Sequence, residues 1–139
     1  MPAFEVLLRS FLNRRLTPRE AVRELGQFAV VNLDSNPAYI RYRDHCPGQV
    51  ELTPNAVRQA LQAFVDGSMA ASDLRDWALF VTLSGAFSTP TPPAEDGDWF
   101  DPMWDAVHDL ACPVVHGPIT TESVATYVAR LGRYGDDPN

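Results

Sequence analysis

Proline placed one step after a capping hydroxyl or carboxylate is the feature that most restricts what this chain can fold into. Thr17-Pro18-Arg19-Glu20, Thr53-Pro54 and Asp101-Pro102 all carry it. Proline holds φ near the helical value and lacks the N–H that a first-turn residue leaves unpaired, so these pairs read as helix starts. In the first, Glu20 stands where its side chain can reach back to the cap nitrogen. Thr120-Thr121-Glu122 offers a fourth start, with acid in the first turn to suit the helix dipole.

Apolar stripes at three- and four-residue spacing follow from these starts. Phe4, Leu7, Leu8, Phe11 and Leu12 mark a first helix, and Ala21, Val22, Leu25 and Phe28 a second. Val57, Ala60, Leu61, Phe64 and Val65 mark a third; Leu74, Trp77, Ala78 and Val81 a fourth. Met103, Trp104, Val107, Leu110 and Ala111 make a fifth over 102–111, and Val124, Tyr127, Val128 and Leu131 a sixth, stopped by Gly132. The expected fold is all-α: a single helical domain over 1–139, five to six helices packed as helical hairpins. Loops are expected at 32–49, rich in turn signals, and at 84–100, rich in proline and acid. Residues 133–139 read as a frayed tail. Within the first loop, Tyr39 to Arg43 alternates weakly and reads as a short extended segment.

A weak repeat runs at an offset of 53: Phe11 matches Phe64, Leu12 matches Val65, Leu16 matches Met69, Ala21 matches Leu74, Leu25 matches Ala78 and Phe28 matches Val81. Two amphipathic hairpins obeying one packing rule suffice to explain it, and two copies fall short of a solenoid.

Charge narrows the function classes. Residues 1–58 hold eight Arg against six acids, a balance of +2, and 59–139 hold three Arg against twelve acids, a balance of −9. That balance repels phosphate backbones, so no nucleic-acid partner is expected. Apolar runs such as Phe28 to Val31 fall far short of a membrane span. The first residues carry no basic stretch ahead of an apolar block, which places the chain in the cytoplasm. Cys46 and Cys112 are then expected to be thiols, with Cys112 buried in an apolar turn.

Site chemistry is sparse. His45-Cys46 and Cys112 with His116 lack the paired spacing of a zinc site. Asp96, Asp98, Asp101, Asp105 and Asp109 carry oxygen ligands, but no calcium-loop glycine or glutamate is in register. Asp101, Asp105 and Asp109 share one face of the fifth helix with His108 nearby, and read as a solvated face. No phosphate loop, nucleophile elbow or His-Glu-x-x-His helix occurs. No metal and no cofactor is expected, and the balance is against an enzyme. Trp99-Phe100-Asp101-Pro102-Met103-Trp104 is dense in the side chains that anchor protein interfaces; Trp104 reads as sealing the core.

Leu61 to Gly67, Leu74 to Ala78, and Leu110 to Pro113 through Gly117 to Thr120 resemble a pattern in small bacterial helical proteins. Leu7-Leu8-Arg9-Ser10-Phe11-Leu12 to Glu20 loosely resembles the opening of colicin-type immunity proteins. The resemblance implies a compact helical bacterial protein, with toxin neutralisation as one role, and carries over no catalytic residue.

The leading expectation is a non-catalytic protein-interaction module. It binds a partner through the acidic C-terminal half, with Trp99, Phe100, Asp96, Asp98, Asp101 and Asp105 at the contact. Its sharper form is an immunity or antitoxin protein covering a basic toxin. The rivals are a metal-dependent hydrolase using Asp101, Asp105, His108 and Asp109, and a homodimer in which the +2 half meets the −9 half.

Overall fold

The computed structural model describes residues 2–35, 38–44, 46–88, 100–112 and 117–132. Six helices are present among them: α1 (Pro2–Leu12), α2 (Pro18–Leu25), α3 (Pro54–Val65), α4 (Ala71–Leu83), α5 (Phe100–Ala111) and α6 (Thr121–Gly132). Thr17 and Thr53 cap α2 and α3 as their sequences imply, each hydroxyl accepting from the backbone N–H three residues on. Glu20 closes the capping box at Thr17. Thr120 caps α6 through Ser123 N–H at 3.1 Å.

The all-α expectation is wrong. Four short strands form two two-stranded sheets: β1 (Ala29–Asn32) with β2 (Tyr39–Tyr42), and β3 (Val50–Glu51) with β4 (Phe87–Ser88). The first sheet is antiparallel, with Ala29 opposite Tyr42 and Asn32 opposite Tyr39. β1 begins directly after Phe28, where the helical stripe of the second helix was expected to end. β2 coincides with the extended segment expected near 39–43. The second sheet is parallel, Val50 opposite Phe87 and Glu51 opposite Ser88, held by Val50 N–H to Ala86 O and Leu52 N–H to Ser88 O, both 2.9 Å. A parallel pair needs a long crossover; here α3 and α4 supply it. The stretches 32–49 and 84–100 are therefore not plain loops: the first holds β2, and the second holds β4 and the start of α5. That helix begins at Phe100, so Asp101 lies inside it rather than capping it.

One core joins the elements. Phe4, Leu8 and Phe11 of α1, Val57 and Leu61 of α3, Met103 and Val107 of α5, and Val124 and Leu131 of α6 are all buried in it. Helix α4 is the centre. Leu74, Trp77, Ala78, Leu79, Phe80 and Val81 are buried, which covers most of its circumference. Phe11 stacks on Trp77 with centroids 5.9 Å apart and meets Phe80 at 4.4 Å and Phe87 at 6.2 Å. Tyr42 donates its hydroxyl to Ser84 O at 2.7 Å, tying the first sheet to the end of α4. No described helix is long and apolar enough to cross a membrane.

Candidate functional site

Both helical hairpins turn in the same way. Helix α1 ends at Leu12; Arg14 takes φ 61°, and Arg15 N–H bonds to Ser10 O at 2.8 Å. Helix α3 ends at Val65; Gly67 takes φ 84°, and Ser68 N–H bonds to Ala63 O at 2.9 Å. These are helix endings closed by a left-handed residue, a position that usually holds glycine. In the first hairpin it holds arginine.

Between the two turns lies a cavity of about 90 Å³. Arg14, Leu16, Thr17 and Pro18 wall it from the first turn, and Ser68 and Met69 from the second. Phe11, Asp73 and Trp77 complete the lining. Trp77 is 2% exposed, and its indole N–H is the one buried side-chain donor without an acceptor among the described residues. Leaving such a donor unmade costs about 1–3 kcal/mol. On the rim, Arg14 and Asp73 carry opposite charges; neither side chain makes a hydrogen bond or a contact ion pair among the described residues, and Asp73 adds to the field that keeps Arg19 charged.

A charge network stands beside the cavity. Asp76, one residue before Trp77, has a side chain only 3% exposed. Arg19 Nε reaches its Oδ2 at 3.3 Å and Arg75 Nη1 its Oδ1 at 3.7 Å. Burial pushes the Asp76 carboxyl above its ordinary pKa, against the pull of both arginines. The outer edge of Arg19 forms two 3.1 Å bonds to Asp34, which hold that carboxyl below its usual range. Glu20 is held low by the Thr17 N–H it accepts. The network ties α2, α4 and the turn after β1.

The residues expected at the site are placed unevenly. Trp99, Asp96 and Asp98 lie outside the described residues. Phe100 and Asp101 are placed only as backbone in the first turn of α5. Asp105 and His108 are exposed on α5, with the His108 ring 5.7 Å from that of Trp104. Trp104 is half-buried against the core, as expected of a sealing residue. Asp109 is engaged within the chain, accepting from Tyr127 Oη at 2.8 Å. Burial together with that carboxylate pushes the Tyr127 phenol up to about 12. Among the described residues no group of three His, Cys, Asp or Glu could hold a metal ion. Cys46 and Cys112 are free thiols, but Cys112 is exposed rather than buried: it follows the last residue of α5, past the stripe that faces the core.

No family model, curated protein or solved structure matches this chain. Its site therefore stands on its own chemistry. The cavity escaped the sequence reading, although one signal pointed to it: the 53-residue offset pairs Leu16 with Met69, which face the same space from the two turns.

Proposed function

We propose that this chain is a non-catalytic protein-interaction module that binds a basic partner through its acidic C-terminal half. The observation that supports the reading is the charge division, +2 over 1–58 against −9 over 59–139. Within the acidic half, Asp105 and Glu122 are exposed, as is Asp66, whose carboxylate accepts from Gln62 Nε2 at 3.1 Å. Acids that make no internal bond raise the local negative potential, and opposite potentials steer association and set its specificity. Asp105 also belongs to the segment that carries Trp99 and Phe100, which would supply the apolar anchors such a contact needs. Neutralising a basic toxin is the narrower form of the same reading.

The test is co-purification from the native host with the wild-type chain and with an Asp105→Arg/Glu122→Arg variant. A protein retained by the wild type, released by salt and lost in the variant supports the reading. A chain recovered alone at cellular concentration, or an identical set of proteins with both chains, sinks it.

A further inference from the structure

The cavity between the hairpin turns combines three features that packing does not require. Its walls are apolar in part, from Phe11, Leu16, Pro18, Met69 and Trp77, beside the hydroxyl residues Thr17 and Ser68. Its rim carries one cation, Arg14, and one anion, Asp73, that no described side chain meets in a contact ion pair. One wall residue holds a buried N–H without an acceptor. A cavity needs only about 10–15 Å³ to hold a water, so this one admits a small organic molecule. Arg14 adds a further sign. It occupies a left-handed backbone position that costs a non-glycine residue about 1–2 kcal/mol, and strain of this kind gathers at binding sites.

We propose that this cavity binds a free α-amino acid with a short apolar side chain. The ligand carboxylate faces the Arg14 guanidinium, its ammonium faces Asp73, and its side chain lies against Leu16, Met69 and the Phe11–Trp77 stack. Guanidinium recognises carboxylate through paired N–H bonds. A molecule bearing only one of the two charges leaves the other rim group unanswered. The site uses none of Asp66, Asp105 and Glu122, and although Asp73 counts among the acids of 59–139, the titration below reads the cavity without any protein partner.

The experiment is a titration of the ¹⁵N-labelled chain with L-valine, followed at the Trp77 indole N–H, which a Trp77→Phe variant assigns. Isobutylamine and isobutyrate serve as comparators, each keeping one charge. L-Valine is expected to shift that resonance saturably, and each comparator to bind about tenfold more weakly or worse, the loss of one charged hydrogen bond. Arg14→Gln and Asp73→Asn, both at the cavity rim, are expected to weaken L-valine by a similar factor. No saturable shift with L-valine overturns the proposal. So does equal binding of the comparators, which marks a cavity that reads only apolar volume, or an affinity that neither rim variant changes. If Trp77→Phe fails to fold, the comparators and the rim variants still decide.

Discussion

Asp76, by its burial, and Arg14, by its left-handed backbone, are each held at a cost to the fold. The Asp76 carboxyl is nearly out of water and relies on Arg19 and Arg75. Removing a partner from a buried charge is worse than replacing both. Arg19→Ala is therefore expected to cost about 1–3 kcal/mol, discounted because Arg19 is itself 58% exposed, as urea denaturation will measure. The same carboxyl shapes the acid limb of stability. Because burial raises its folded pKa above the unfolded value, the folded state takes up its proton first, and this group adds stability as pH falls. Glu20 and Asp34 act oppositely: their contribution is present above the ordinary carboxylate range and is lost as pH falls through their depressed folded values. Asp76→Asn removes only the first effect. Between about pH 6 and pH 3 the variant is expected to lose stability more steeply than the wild type, and parallel curves would refute the assignment. Arg14 is simpler. Glycine at its φ of 61° relieves steric strain but gives up chain entropy, so Arg14→Gly is expected to stabilise by about 0.5–1 kcal/mol. A lower urea midpoint would contradict this.

At the scale of elements, the two hairpins correspond at the same 53-residue offset through their backbone bonds as well as their apolar positions. Asn13 N–H to Arg9 O matches Asp66 N–H to Gln62 O, and Arg14 N–H to Phe11 O matches Gly67 N–H to Phe64 O. The correspondence continues to the next helix start: Thr17 caps α2 at φ −70°, ψ 161°, and Ala70 caps α4 at φ −76°, ψ 159°. Ala70 has no side chain that can accept, so α4 starts uncapped. Ala70→Thr is expected to add about 1 kcal/mol by accepting from Asp73 N–H, raising Tm by about 4 °C. Thr17→Ala should lose a comparable amount. An unchanged Tm in the first would mean that the two starts are not equivalent. The helices were legible because caps and stripes are local signals. β1 was not, since Ala29 and Val31 continue the apolar run that follows Phe28, and only their pairing with Tyr42 and Ile40 makes them strand. β3 and β4 are two residues each, joined across the whole α3–α4 hairpin. No window short enough to read contains both. The cavity was hidden for the same reason, because its two walls come from turns distant in sequence.

Across the whole molecule, the elements share a single core, and Phe11 is where its halves meet. Its ring touches Trp77 and Phe80 of α4 and Phe87 of β4, while its backbone belongs to the first hairpin. Neither hairpin can therefore bury its own aromatic face without the other. Phe11→Ala would open a void bounded by α4 and β4, whose backbones are fixed by the parallel pair and by packing against α5, so little collapse can fill it. The expected cost is about 3–5 kcal/mol, a large share of the stability of a domain of this size. The manner of the loss matters more than its size. If the hairpins are one cooperative unit, far-UV circular dichroism and tryptophan fluorescence should give coincident unfolding curves in wild type and variant alike, displaced together to lower urea. If the hairpins fold separately, the variant should show two steps, with helix content surviving the fluorescence change. Phe11 packs on Trp77, so once Trp99 and Trp104 are replaced by Phe in both chains, fluorescence reports on the junction itself, whereas circular dichroism reports on all six helices. Coincidence of the two curves is thus a direct measure of whether the cavity between the turns sits inside one folded body or at a seam between two.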